Sequence, residues 1–100
     1  MISLVAAAVL VYGAAYGFDD SAYMWAVAQI ETGCKNEAIG AAGERSKFQF
    51  MEATWGEFSE RDFEEASRDE RLAEEVFLRL LRWQKRALRT LRLEVTPENL

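Results

Sequence analysis

Glu31 is the residue of this chain whose surroundings best suit acid–base chemistry. It lies in the segment Ala28-Gln-Ile-Glu-Thr-Gly33, beside an apolar residue and just before a glycine. Apolar surroundings disfavour the charged form of a carboxyl, so such a group can hold and deliver a proton near neutral pH. The chain has one Cys, Cys34, and no His. This composition excludes Ser-His-Asp and Cys-His nucleophilic sites and the usual His-containing zinc sites.

Two segments after Glu31 complete a recognisable pattern, Ala38-Ile-Gly-Ala-Ala-Gly43 and Phe48-Gln-Phe-Met51. Together with residues 28–33 they resemble the lytic transglycosylase branch of the lysozyme-like superfamily. That family shows a helix-ending Glu-Ser-Gly, then a loop, then Gly-Ala-x-Gly-Leu-Met-Gln-hydrophobic-Met-Pro. Glu31 matches the catalytic Glu, and Gln49 follows it at the separation that the family pattern requires. The matched positions also include Gly43, Met51, Thr54 and Trp55.

The chain departs from the family pattern at several positions of the same region. Ser46 stands where Gly is usual, Lys47-Phe48 where Leu-Met is usual, and Glu52 where Pro is usual. Gly40 occupies a position at which the family often has a substrate-contacting Ser. The later Tyr/Trp-Asn-Ala-Gly segment of the family is absent. We therefore expect the C-terminal part of the family domain to be missing from these 100 residues.

The resemblance implies an all-α, lysozyme-like domain that cleaves the β-1,4 bond between N-acetylmuramic acid and N-acetylglucosamine in peptidoglycan glycan strands. It implies that Glu31 acts first as acid and then as base, giving a 1,6-anhydro sugar without metal or cofactor. A hydrolase would normally use two carboxylates, for which Glu37 and Glu44 are the available partners. The candidate substrate-binding residues are Gln49, Ser46, Met51 and Phe48. Ser46 has an alternative role in holding the loop.

An apolar segment opens the chain. Residues 2–17 contain no charged residue and end in Ala15-Tyr16-Gly17, whose small residues fit a signal-peptide cleavage site. We expect residues 1–17 to be a signal peptide or membrane anchor and residues 18–100 to be the lysozyme-like domain. The protein is then exported to the periplasm, the cell envelope or the medium. The alternative is that the segment forms a buried helix of the folded domain.

Apolar spacing and capping residues predict three helices and the beginning of a fourth. The first runs from about Ser21 to Thr32, with Gly33 as its stop and Glu31 in its last turn. The second covers Phe48–Phe58, where aromatic residues recur at helical spacing. The third begins at a capping box at Ser67 and continues to about Leu93. Thr96 followed by Pro97 announces another helix.

The charge and composition of the chain limit its partners. Half of the residues are hydrophobic and 12% are aromatic, enough for the core of one small domain. The net charge of −5 argues against nucleic acid as the main partner and against simple electrostatic capture by an anionic wall or membrane. Two other functions stay open: a non-catalytic peptidoglycan-binding or scaffold module, and a helical interaction protein that uses the amphipathic helix Ser67–Leu93.

Overall fold

The computed structural model describes residues 19–100, and the prediction for residues 1–17 lies outside them. Four α-helices follow one another, and a short 3₁₀ helix ends the chain. Their bounds are α1 Asp20–Thr32, α2 Glu52–Phe58, α3 Phe63–Ala66, α4 Glu70–Thr90 and the 3₁₀ helix Pro97–Asn99. The predicted all-α class is confirmed, since residues 19–100 contain two isolated β-bridges and no strand. None of the helices in this range is both long enough and apolar enough to cross a membrane.

Helix α1 forms where the sequence predicted it. The side chain of Asp19 caps its start by accepting the backbone N–H of Ala22 at 2.8 Å. Gly33 ends it in the left-handed conformation, with φ of +65°, which glycine adopts without steric cost. Glu31 is therefore held in the last turn of α1, next to the loop that follows.

The helix predicted from Phe48 begins four residues later, at Glu52. Gln49 has a φ of +56°, a left-handed conformation that an α-helix cannot contain. Phe50 instead pairs with Arg45 through two backbone hydrogen bonds of 2.8 and 2.9 Å. The aromatic residues at helical spacing thus divide between a folded loop and the true helix α2, and the prediction of a helix over Phe48–Phe50 is wrong.

Helix α4 begins three residues after the predicted cap. Asp69, and not Ser67, is the N-cap, and its carboxylate accepts the backbone N–H of Leu72 at 3.0 Å. Ser67 is 1% exposed and follows the short helix α3, which the sequence did not predict. At the other end the helix stops at Thr90 because Arg92 adopts a left-handed φ of +59°.

The core lies between α1, α4 and the loop that joins α1 to α2. Aromatic rings fill much of it: Phe48 stacks on Phe77 of α4 with centroids 4.5 Å apart, and Tyr23 of α1 lies 6.0 Å from Phe77. Trp55 of α2 is 1% exposed and meets Phe50 edge-on. The loop therefore contributes to the core through Phe48 and Phe50, which explains why it is ordered without regular secondary structure.

Lys47 connects this loop to α4. Its side chain is 9% exposed, and its ammonium binds Glu70 at 3.2 Å and Glu74 at 2.5 Å. Burial lowers the pKa of Lys47, whereas hydrogen bonds and charge attraction from Glu74 and Glu70 raise it, and the net pKa lies above its ordinary value. A buried ammonium needs such partners, because an isolated buried charge is strongly unfavourable.

We predict that Lys47 and Glu74 are energetically coupled. A double-mutant cycle of Lys47→Met and Glu74→Gln, measured by urea unfolding, should give a coupling free energy of about 1–3 kcal/mol. Arg71 and Glu75 provide the control pair, since both are exposed at 73% and 45%. Their cycle should give about 0.3–0.5 kcal/mol. Equal couplings for the two pairs would show that burial adds nothing to the Lys47 interaction.

Alkaline pH should destabilise the fold. Burial raises the pKa of Tyr23, so the neutral phenol is favoured in the folded state. Its contribution to stability is fully present below the unfolded pKa of about 10 and is lost as pH rises through the folded pKa. The raised pKa of Lys47 acts in the same direction.

The variant Tyr23→Phe should therefore lose less unfolding free energy than the parent when urea titrations at about pH 8 and about pH 10.5 are compared. The difference between the two pH values is the relevant quantity, because the substitution can also change stability at neutral pH. If both proteins lost the same unfolding free energy between the two pH values, the alkaline destabilisation could not be assigned to Tyr23.

Candidate active site

A groove of about 280 Å³ runs between α1, the loop after it, α4 and the C-terminal turn. Its floor is mainly apolar and aromatic, and a few polar side chains lie around it, as is usual for small-molecule and sugar sites. The lining residues are Tyr23, Val27, Glu31, Phe48, Gln49, Phe50, Met51, Thr54, Phe77, Leu80, Gln84, Pro97 and Leu100. Four of the five predicted site residues, Glu31, Gln49, Met51 and Phe48, are among them.

Glu31 borders the groove from the last turn of α1, and its side chain reaches solvent. It is the only acidic side chain among the described residues that line the groove. Val27, one turn earlier on α1, and Phe48 and Met51 from the loop are the apolar groups that share this lining. The apolar neighbours expected from the sequence are present, but they do not enclose Glu31.

Thr32 fixes the end of α1 against the loop. Its hydroxyl donates to the backbone carbonyl of Lys47 at 2.9 Å and accepts the backbone N–H of Lys35 at 3.0 Å. The residue next to Glu31 is thereby tied to the residue two positions before Gln49. This contact brings Glu31 and Gln49, distant in sequence, into one groove.

Gln49 combines a groove position with an unusual backbone. Its φ of +56° is uncommon for a residue with a side chain, and such conformations persist only where the surroundings enforce them. Its Nε2 donates to the carbonyls of Ser46 at 2.9 Å and Ala38 at 3.3 Å. Gln49 therefore fastens the loop to itself while its side chain contributes to the groove lining.

The absence of a side chain at Gly40 leaves space for the side-chain amide of Gln49. A Cβ added at Gly40 would lie 2.5 Å from Oε1 of Gln49 and 2.7 Å from Oε2 of Glu44. Both distances are far below van der Waals contact, so any larger residue would displace these two side chains. Where the family often has Ser, this chain has a glycine that lets the Gln49 amide approach the backbone.

Ser46 has a structural role and does not line the groove. It is 1% exposed, and its Oγ accepts the backbone N–H of Phe48 at 3.0 Å. Its φ of +77° also places it in the left-handed region, where the family has Gly. Its hydroxyl is buried in a turn of the loop, which agrees with the alternative role of Ser46 in holding the loop.

Phe48 and Met51 hold different places in the groove. Phe48 is 6% exposed and forms part of the floor through its stack on Phe77. Met51 is 48% exposed and lies at the N-cap of α2, at the edge of the groove. A ligand would meet the edge of Met51 directly and only a small part of the Phe48 ring.

The two carboxylates considered as second catalysts do not line the groove. Glu44 accepts the backbone N–H of Ala42 at 2.7 Å, which engages it inside the loop. Glu37 is exposed and lies with Lys35 and Arg68 on a different part of the surface. Neither residue lines the groove that contains Glu31. No group of three or more Cys, Asp or Glu residues suited to a metal ion occurs within residues 19–100.

Gln84 of α4 is a groove residue that the sequence interpretation missed. It is half-buried and lies among apolar lining residues of the same helix, Phe77 and Leu80. The available signal was its spacing, because Gln84 falls one turn after Leu80 on the apolar face of an otherwise regular amphipathic helix. A polar residue in such a stripe often faces a cavity or ligand site.

We predict that Gly40→Ala displaces the Gln49 side chain with little loss of stability, because flexible side-chain ends can move. The side-chain amide signals of Gln49 should shift in ¹H–¹⁵N spectra. Gly43→Ala is the matched control: it has open space for a Cβ but a φ of +85°. It should cost about 1 kcal/mol through backbone strain and leave the Gln49 amide in place. Unchanged Gln49 signals in Gly40→Ala would contradict the close approach.

Comparisons of the chain with family models, with curated proteins and with solved structures found no match. The resemblance to lytic transglycosylases therefore depends on the motif residues themselves.

Proposed function

We propose that this protein cleaves the β-1,4 bond between N-acetylmuramic acid and N-acetylglucosamine in peptidoglycan, with Glu31 as its acid and base. The observation that carries the proposal is the shared groove of Glu31, Gln49, Met51 and Phe48. These residues come from two separate segments of the motif, residues 28–33 and residues 48–51. Their convergence on one apolar groove supports a common role.

The groove suits the uncharged backbone of a glycan strand. Apart from Glu31, its described lining carries no charged side chain. The aromatic and aliphatic floor can receive the apolar face of a sugar ring, while Thr54 and Gln84 offer hydrogen-bonding groups. Binding would therefore depend on shape and hydrogen bonds, which agrees with the expectation drawn from the net charge of the chain.

A single carboxyl at the groove favours intramolecular cleavage over two-carboxylate hydrolysis. Protonated Glu31 donates its proton to the glycosidic oxygen, and the bond from that oxygen to C1 of the muramic acid breaks. The resulting carboxylate then accepts the proton of the C6 hydroxyl as the C6 oxygen bonds to C1. The product is a 1,6-anhydro sugar, and no water is consumed. The positions of Glu37 and Glu44 outside the groove support this path.

A second candidate is a peptidoglycan-binding module without catalysis. The exposure of Glu31 favours it, because a solvated carboxyl resembles an ordinary surface acid more than an enclosed general acid. In that case the same groove holds the glycan strand and Glu31 only contributes hydrogen bonds. For either candidate, the uncharged residues 2–17 support export to the cell envelope, the periplasm or the medium, as signal peptide or anchor.

The proposal predicts that Glu31→Gln abolishes release of soluble muropeptides from purified peptidoglycan. Loss of a general acid–base group should slow cleavage by a factor on the order of 10²–10⁴. Glu37→Gln is the matched control, since it makes the same change on a different part of the surface, and it should retain activity. Mass spectrometry of the released fragments should show 1,6-anhydro ends.

The outcomes separate the two candidates. Equal release by Glu31→Gln and the parent would eliminate Glu31 as the catalyst. Retention of the parent protein on peptidoglycan without any soluble product would support the binding module. Products with reducing ends would replace the anhydro reaction by hydrolysis.

A further inference from the structure

The second half of α4 carries a concentrated positive charge. Residues 76–93 contain six basic residues and no acidic residue, although the net charge of the whole chain is −5. Five of the basic residues surround one shallow surface depression together with Asp20: Arg79, Arg82, Lys85, Arg86 and Arg89. We call the surface formed by these five residues the basic face. The negative net charge of the protein gives no indication of this positive face.

The helical repeat places these side chains on one side of α4. At about 100° per residue, the positions from 79 to 89 fall within an arc of about 120°. The opposite side of the same turns is buried in the core, where Leu81 is 1% and Leu88 is 8% exposed. Arg82, Arg86 and Arg89 are exposed and form no ion pair within residues 19–100. Their charges are directed to the solvent.

Exposed apolar side chains lie in and just after the same stretch of α4, and Trp83 adjoins the arc of the basic face. Trp83 is 53% exposed in the middle of this stretch of α4. Leu91 and Leu93, which follow the end of the helix, are 68% and 49% exposed. Basic residues flanked by exposed Trp and Leu are typical of surfaces that lie in the headgroup region of a lipid bilayer.

The start of α1 is fastened to the basic face. Asp20 forms an ion pair with Lys85 of α4. Asp20 lies just three residues beyond the uncharged stretch 2–17 in the sequence. The first residues that the structure describes therefore lie beside the basic face, far along α4 from its N-terminal turns.

We propose that the basic face docks on anionic lipid headgroups. Charge complementarity, the adjoining Trp83 and the position of Asp20 beside this face, three residues after the apolar stretch 2–17, favour a membrane surface over a soluble polyanion. Basic residues near an anionic bilayer each strengthen binding several-fold, and salt screens the effect. The groove with Glu31 shares none of its lining residues with this face, so docking leaves it accessible.

The test uses the full chain and sedimentation with two kinds of vesicle, phosphatidylcholine alone and phosphatidylcholine mixed with phosphatidylglycerol. The ratio of the two affinities removes any contribution of the apolar stretch that is independent of lipid charge. For the parent, this ratio should be high and should fall towards one at about 1 M salt. The variant Arg82→Gln/Arg86→Gln/Arg89→Gln should lower it by about tenfold or more.

A control with the same change in net charge is Lys35→Gln/Arg68→Gln/Arg71→Gln: Lys35 and Arg68 lie together on another part of the surface, and Arg71 is paired with Glu75 near the start of α4. It should keep the ratio of the parent. Gln is close to Arg in helix propensity, and circular dichroism checks that both variants are folded. An equal loss in the control would reduce the effect to net charge and overturn the proposal. So would a parent ratio of one, or tighter binding to a soluble anionic polymer with the same dependence on the three arginines.

Discussion

The site depends on the way Lys47 holds the loop between two helices. Its backbone carbonyl accepts the hydroxyl of Thr32 at the end of α1, and its ammonium binds Glu74 and Glu70 of α4. A buried ammonium is tolerated only with such partners, so the loop has one favourable position. In that position Phe48 stacks on Phe77 and Gln49 enters the groove beside Glu31. Lys47, which stands where Leu is usual in the family pattern, thus helps to hold Gln49 in the groove beside Glu31.

Two strained backbone conformations and one close contact accompany this position of the loop. Ser46 and Gln49 both have left-handed backbones, and Gly40 lies where a side chain would collide with the Gln49 amide. Each feature has an energetic cost that the packing of Phe48 and Phe50 must offset. Ser46 and Gln49 lie on either side of Phe48 in the sequence, whereas the other two left-handed residues that are not glycine, Cys34 and Arg92, follow the ends of α1 and α4.

The sequence predicts the elements that depend on local signals. Helix α1 and its end at Gly33 follow from capping chemistry and from glycine's access to positive φ. The convergence of Glu31 and Gln49 follows from the motif resemblance. The predicted start of α2 at Phe48 is wrong. The aromatic spacing from Phe48 fits a helix, and nothing in the sequence indicates that Gln49 adopts a left-handed backbone. Ser67 is buried as the C-cap of α3, a short helix that the sequence did not predict, and Asp69 is therefore the N-cap of α4.

The net charge of the chain and the local distribution of its charged side chains lead to different expectations. The net charge of −5 predicts poor attraction to anionic surfaces. The structure instead gathers the basic residues of α4 on one face and pairs the buried Lys47 with acidic residues near the start of the same helix. Helix α4 therefore has an acidic end that holds the loop and a basic end that remains exposed, an order that also complements the helix dipole.

The central claim is that the groove beside Glu31 receives a glycan strand. Titration of the ¹⁵N-labelled protein with chitooligosaccharides, which share the β-1,4-linked N-acetylated sugars of peptidoglycan, tests it most directly. We expect amide shift changes that saturate at Glu31, Gln49 and Met51, with Gln84 on the facing helix. Saturable changes confined to another surface, or no changes with either chitooligosaccharides or soluble peptidoglycan fragments, would contradict it.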